Sequence, residues 1–462
     1  MTGPQNLAEQ PFPSPTVITL SAAILAYAVL LDSWWVADDW NFLAAVTGLV
    51  NSEILGARLV SQKLYWYSLY PLFGLNPWPW AAVRLALHAS SALLVVRIAR
   101  QCGLDRPAQA FAGIFFATTS LAFTPLLWNC GTEELLGVFF ALFATLRWLA
   151  GHRLSAFLLA VAAILSKEAA FGLPVLLAAL SLCRPAERRR SDWLVIGVLA
   201  AVVLGEALLV YRHFRLLQDS QDYALGSPLG ALANLGLLSW FSLVPLKFQV
   251  IYDYRVDFRQ LVGGAAILIW VAVAVWRWRL HDRLPAACLL AALVSVAATL
   301  PLATHIHAYY AYAAMAPAGL TLAALVFQRR WQRPRIILVL ALVMIVQAGV
   351  SAHLRRNDNG YYLSKSIKIS RQATAELRKL DTTPGDRVII IRYGNRYHRK
   401  IRSALAGETG PRVLLGDGIE VQWLDNLTLD QLTPRTHLLV EQEFFLRRVN
   451  TSRLTERGFT LE

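Results

Sequence analysis

Charge is scarce in this chain. Asp, Glu, Lys and Arg make up 16% of its 462 residues, against about 25% in an ordinary soluble domain. Cysteine is scarce as well. Cys102, Cys130, Cys183 and Cys288 are scattered over both faces and the ends of the expected helices, so neither a disulfide framework nor a CxxC metal pattern is present. There is no glycine-rich phosphate loop, no HExxH and no nucleophile elbow. Nucleotide-dependent and hydrolase chemistry therefore has no support. Repeats at solenoid periods and low-complexity tracts are also missing.

What fills the chain is apolar. It is 56% hydrophobic with a mean hydropathy of +0.45, and its apolar runs are long enough to cross a hydrocarbon core. The class this implies is a polytopic, all-α membrane protein. Val17–Val36 lacks a small-residue cleavage site and runs into Asp38-Asp39, so it reads as a retained first helix, not a cleaved signal peptide. The net charge of +14 follows from Arg in short loops between apolar runs, as the positive-inside rule requires. It does not call for nucleic acid.

Spans are expected near 17–36, 79–99, 108–127, 135–150, 193–211, 260–276, 285–303, 308–327 and 335–352. Two short helices meet at Ser166-Lys167-Glu168. The segment 37–78 reads as one or two short amphipathic helices along the interface. Residues 229–249, broken by Pro245 and Lys247, enter and leave on one side or lie along it. The expected total is about 11 spans with the N-terminus cytoplasmic. Basic loops follow the second, fourth and sixth helices and mark the cytoplasmic side. Asp38-Asp39, Glu133-Glu134 and Lys167-Glu168 then share the outer side. Residues 1–352 form the expected membrane domain. Residues 353–462 form a small α/β extracytoplasmic domain, with a helix over 361–380 and strands at Arg387–Tyr393, Arg412–Leu415 and His437–Val440.

Charges at a membrane boundary are the candidates for chemistry. Asp38 and Asp39 suit a general base or a metal site, because a carboxylate near a low-dielectric surface holds its proton more tightly. An ordinary helix-end carboxylate pair is the plain alternative. Glu133-Glu134 fits a helix start, where acids favour the dipole. Lys167-Glu168 breaks an apolar stretch, and Lys167 can hold a phosphate as a point charge or be a plain interfacial charge. Arg58, Lys63, Arg84, Lys247 and Arg255 are outer-side cations, either snorkelling on anionic lipid or neutralising a departing phosphate. His305 and His307 are two apart and do not share a helix face; zinc or manganese is a weak reading of them. Tyr309, Tyr310 and Tyr312 read as interfacial belt residues.

Four stretches resemble the GT-C superfamily of polytopic glycosyltransferases, in particular bacterial relatives of the protein O-mannosyltransferases and of the transmembrane, tetratricopeptide-repeat O-mannosyltransferases. They are Ala37-Asp38-Asp39-Trp40; Leu72-Phe73-Gly74-Leu75-Asn76-Pro77 with Arg84-Leu85-Ala86-Leu87-His88; Leu165-Ser166-Lys167-Glu168 with Gly172-Leu173-Pro174; and Tyr309-Tyr310-Ala311-Tyr312 with Pro317 and Gly319. The likeness covers about residues 1–330. The chain departs from the pattern at Arg84, at His307-Ala308 and at Trp128-Asn129-Cys130-Gly131, and no tetratricopeptide repeats follow. The resemblance implies a polyprenyl-phosphate-linked sugar donor, a hydroxyl acceptor on protein, lipid or glycan, and inverting transfer at the outer face of the inner (plasma) membrane. It assigns Asp38 as base with Asp39 supporting it or holding a divalent metal. Lys167, Arg58 and Lys63 fall to the phosphate, Glu168 orients Lys167, and Glu133, His307 and Tyr309 support. The alternative is a lipid or glycan transporter or flippase, in which charges mark a substrate path.

Overall fold

The structure is a computed structural model. It describes residues 14–51, 58–183, 190–216, 225–243, 258–302, 306–327, isolated positions between 338 and 349, and 362–393, 399–424, 427, 432–442 and 445–449. His305, Glu53, Lys247, Arg255 and nearly all of the expected 335–352 span lie outside the described residues.

The apolar runs become helices. In order they are α1 Pro15–Tyr27, α2 Asp38–Val46, α3 Tyr65–Phe73, α4 Pro77–Gln101, α5 Arg106–Ala117, α6 Phe123–Leu127, α7 Thr132–Leu149, α8 Arg153–Ile164, α9 Leu173–Cys183, α10 Arg190–Leu216, α11 Pro228–Leu243, α12 Phe258–Arg279, α13 Leu284–Val296 and α14 Met315–Val326. Start signals in the sequence explain several bounds. Asn76 Oδ1 accepts from Trp78 N at 3.2 Å and Pro77 takes the first position of α4. Asp105 caps α5 through Ala108 N at 3.0 Å, with Pro107 next in line.

Among the described residues, Pro77–Gln101, Arg106–Leu127, Arg190–Arg212 and Arg259–Arg279 are long and apolar enough to cross a membrane. Shorter apolar helices run at Pro15–Leu31, Arg153–Ile164, Glu168–Leu182, Leu284–Thr299 and Met315–Leu325. The first span is shorter than expected: α1 gives way to a 3-10 turn, Ala28–Leu31. The third is broken. α5 stops at Ala117, and the carbonyls freed by the break are taken by other helices. His88 Nε2 donates to Ala117 O at 2.9 Å, and Tyr27 OH donates to Thr119 O and lies 3.3 Å from Thr118 O. The two short helices meeting at 166–168 are present as expected. The α11 helix ends within the doubtful 229–249 segment. At its crossing with α12, a Cβ on Gly263 would fall 1.8 Å from Gly236 O, so only glycine fits there.

The chain alternates between two faces of the bundle. On one, Val60 N donates to Leu165 O at 3.0 Å, joining 58–64 to the end of α8, and Asn234 reaches Leu300 O at 2.8 Å. On the other, Arg153 at the start of α8 meets Asp192 at the start of α10, and Arg283 NH1 contacts Leu182 O.

The C-terminal part is three helices and a sheet among the described residues: α15 Tyr362–Leu377, α16 Arg399–Ala404 and α17 Thr409–Leu415, with β1 Arg387–Tyr393, β2 Glu420–Leu424, β3 Thr436–Gln442 and β4 Phe445–Val449. The strand order is β2-β1-β3-β4. The β1 strand pairs parallel with both neighbours, Arg387 opposite Glu420 and Thr436, while β4 runs antiparallel to β3. Its centre, Val388 to Ile391, is buried on both faces, which is why it reads as a continuous apolar run. The expected strand at Arg412–Leu415 is a correction: these residues are the end of α17. Pro411 suits a first helical turn, and Gly416 at φ +98° stops the helix. One contiguous cluster of buried apolar residues runs from Trp35, Trp40 and Trp66 in the helix bundle to Leu363, Ile401 and Leu405 in the C-terminal part.

Candidate active site

The site begins at a turn. Ala37 sits at φ +50°, ψ −122°, and Asp39 N donates back to Val36 O at 3.1 Å. That is a type II′ turn with alanine in the position glycine normally takes. Such strain costs on the order of 1–3 kcal/mol and persists only where surroundings enforce it. The α2 helix starts directly after, so both aspartates lie in its first turn, where the helix dipole favours acids.

The two aspartates have different jobs. Asp39 is 0% exposed and fully committed. Its Oδ2 accepts from Val36 N at 3.0 Å, and its Oδ1 from Cys130 N at 2.9 Å and Cys130 Sγ at 3.0 Å. Burial raises its pKa to about 6, and the Cys130 and Val36 bonds with the nearby Arg84 charge keep it from rising further. Asp39 thus ties the 36–39 turn to the 128–131 loop. Asp38 is exposed to solvent and makes no hydrogen bond or ion pair among the described residues. Protein nevertheless packs closely around its base. That desolvation, and then the charge of Glu133, raises its pKa above the ordinary value.

Beside the turn lies an ion cluster. Glu133 and Glu134 open α7 and are buried. Arg58 pairs with Glu133 and, through Nε at 2.7 Å, with Glu168. Lys167 Nζ lies 3.2 Å from Glu133 Oε2 and 3.2 Å from Glu134 Oε1. The Glu134 contact is an ion pair without hydrogen-bond geometry, which leaves that oxygen with lone-pair capacity to spare. Gln62 donates to Glu133 Oε1 at 2.7 Å, and Ser61 Oγ to Ser166 O at 2.7 Å. Burial alone would lower Arg58, but Glu133 and Glu168 outweigh it and hold the guanidinium charged. For Lys167, burial and Arg58 pull down while Glu134, Glu133 and Glu168 raise it further. Three carboxylates thus meet two cations, an acidic excess.

The structure therefore gathers Arg58, Glu133, Glu134, Lys167 and Glu168, with Asp38 near Glu133. Lys63 is half-buried and has no ion pair among the described residues. Lys167 also lies 6.0 Å from the Tyr310 ring. Tyr309 stacks on His307 with ring centroids 5.0 Å apart. The belt reading of the tyrosines needs correcting: Tyr309, Tyr310 and Tyr312 are buried inside the bundle, 8%, 9% and 0% exposed. Among the described residues no set of three His, Cys, Asp or Glu side chains is gathered to hold a metal ion. The donors do not fit that role as they stand.

Three residues were not legible from pattern. Arg84, read as an outer-side cation, is 0% exposed. Its Nε donates to Leu126 O at 3.0 Å, NH2 to Ser33 Oγ at 2.8 Å, and NH1 to Asn129 Oδ1. His88 joins Tyr312 OH at 2.8 Å and Ala117 O at 2.9 Å. A carbonyl only accepts, so Nε2 carries the proton and Tyr312 donates to Nδ1. Glu206 on α10 is 4% exposed and within electrostatic reach of Glu168 and Arg58. An acid inside an apolar span was the available signal for it.

No family model matches this chain, and no curated protein does. Among solved structures, the crystal structure of the Archaeoglobus fulgidus oligosaccharyltransferase in the apo form aligns with 84% of this chain at 13% identity and a TM-score of 0.46. This chain spans 63% of the length of that protein.

Proposed function

We propose that this protein is a membrane glycosyltransferase of GT-C type, moving a sugar from a polyprenyl-phosphate-linked donor to a hydroxyl on protein, lipid or glycan. The observation that carries the reading is Asp38. It is a solvent-exposed carboxyl with no partner among the described residues and a raised pKa, at the edge of an ion cluster between apolar helices. A hydroxyl needs a base at the moment of attack, and such a carboxylate is suited to take its proton. Attack on the anomeric carbon from the side opposite the phosphate inverts that centre, and the proton passes to Asp38. Asp39 holds the turn and does not touch substrate.

The charge count bears on the leaving phosphate. Arg58 and Lys167 are already neutralised by Glu133, Glu134 and Glu168. A phosphate arriving there has to displace a carboxylate, whereas Lys63 has no ion pair among the described residues to give up. Glu168 and Glu133 orient Arg58 and Lys167. His307 and Tyr309 wall the site behind Lys167. On the opposite face Arg97, Arg100, Arg106, Arg147, Arg153, Arg277, Arg279 and Arg283 outnumber the acids. By the positive-inside rule that face is cytoplasmic, which supports an outward-facing site and C-terminal part in the plasma membrane.

The test is mass spectrometry of surface glycans and glycoproteins from cells with and without the chain. A chain-dependent product that disappears with Asp38→Asn, while the variant inserts and melts like the wild type, is the expected result. Unchanged product from that variant overturns the reading. Glu206 favours a second reading, a transporter, because a buried acid in a span is characteristic of an ion or substrate path. Translocation of lipid-linked sugar in sealed vesicles, with no transfer, would establish it.

A further inference from the structure

The turn that presents Asp38 is finished by the other end of the chain. Ala37 N donates to Ala404 O, at the end of α16, at 2.8 Å. Trp40 Nε1 donates to Ser370 Oγ on α15 at 3.3 Å, and both residues are fully buried. Trp34 Nε1 reaches Thr374 Oγ1 at 3.4 Å. Gly410, opening α17, faces the Trp40 ring so closely that a Cβ there would lie 3.2 Å from it. At the rim Arg371 pairs with Asp32 at 2.8 Å and stacks over Trp34 at 5.3 Å. Residues on both sides of Asp38 are thus held by α15, α16 and α17.

We propose that the C-terminal part is an interlock for the base: it holds the strained Ala37 turn, and Ser370 is a positioning residue that keeps Asp38 where it can act. The inference rests on the reading of Asp38 as the base. The argument is one of compensation. An alanine at φ +50° relaxes to an ordinary backbone unless something holds it. Its amide has its only partner among the described residues in Ala404 O. The neighbouring indole is pinned by Ser370. When α15 to α17 lift, both restraints go together. The turn then opens, and the Asp38 carboxyl leaves the position beside Glu133 that it holds in the docked state. The carboxylate is therefore presented only when the C-terminal part is docked. That makes the 362–449 region part of the working site, not a separate recruiting module.

The experiment uses the full chain in detergent and does not require a known substrate. Ser370→Ala combined with Arg371→Glu loosens the contact without touching Asp38. Two readouts follow. The first is hydrogen exchange in the peptide carrying residues 37–40. The second is the pH midpoint at which Asp38 is labelled by a carbodiimide with glycine ethyl ester. The double variant is expected to exchange about tenfold faster in that peptide, with α4 unchanged, and its labelling midpoint should move down toward the ordinary carboxylate value. Adding Ala37→Gly removes the strain and is expected to bring both readouts back toward wild type. A general loss of folding would speed exchange in α4 too and would not be rescued at position 37. An unchanged midpoint, or no rescue by glycine, overturns the proposal. Neither readout measures transfer, so a failure of the Asp38 base assignment would show in the glycans while these results stood.

Discussion

At the start of α8, Arg153 meets Asp192 through two hydrogen bonds, 2.6 and 3.1 Å, and lies 4.2 Å over the Trp148 ring. At the far end of the same helix, Lys167 and Arg58 share three glutamates, with Asp38 and Asp39 close by. In the first arrangement a cation and an acid close geometrically on one another. The second is acidic in excess, and one of its carboxyls is left without a partner among the described residues. A closed pair has nothing to offer a substrate, and its burden is structural. An unbalanced cluster stores unfavourable charge that burial makes worse, and it persists where function requires it. The same helix therefore carries a brace at one end and candidate chemistry at the other.

The largest test of that contrast is Asp38→Asn. Loss of a positioned base is expected to cut transfer by about 10²–10⁴-fold, measured as the chain-dependent glycan, with the melting temperature unchanged. Arg153→Ala should do the reverse. It takes the two-bond partner from Asp192, which is 0% exposed, and breaking a buried pair costs about 3–5 kcal/mol. Thermal unfolding in detergent should show the drop while transfer per folded molecule persists. If both variants lose activity and stability alike, the division between brace and site collapses.

A third test uses pH. Asp39 is held protonated more readily in the folded protein, to about 6 against 3.8 unfolded. Its contribution to stability is therefore fully present below the unfolded value and lost as pH rises through the folded one, a swing on the order of 3 kcal/mol. Unfolding measured from pH 3.5 to 7.5 should show this slope in the wild type and a clearly shallower one in Asp39→Asn. Smallest of all is Glu134→Gln. Removing one of three acids from two cations is expected to leave stability within about 1 kcal/mol of wild type, on the stable side. A marked loss would mean that the cluster is balanced by a charge outside the described residues.

Much of this was readable from the chain itself. Apolar runs gave the helices because a span must satisfy its own backbone. The Leu165-Ser166-Lys167-Glu168 break and the Arg387–Tyr393 strand were visible as interruptions of, or runs in, hydrophobicity. The alternation of basic loops puts Asp38, Glu133 and Lys167 on one side from the sequence alone. Other features carry no periodic signal. Arg84 looks like any cation until its acceptors, Leu126 O, Asn129 and Ser33, are found on other segments. The β2 strand, Glu-Val-Gln-Trp-Leu, is half polar because it lies at a sheet edge. The Arg412–Leu415 run was misread since four apolar-rich residues fit either period, and the flanking Pro411 and Gly416 decided it. That Trp40 bonds to Ser370, 330 positions away, is a contact no local pattern encodes.

The break between α5 and α6 bears on motion. Its freed carbonyls are held by Tyr27 on α1 and His88 on α4, and His88 is in turn held by Tyr312 ahead of α14. Separating any one of these segments exposes a bare carbonyl to hydrocarbon, at several kcal/mol each. They consequently travel together, as a single rigid body.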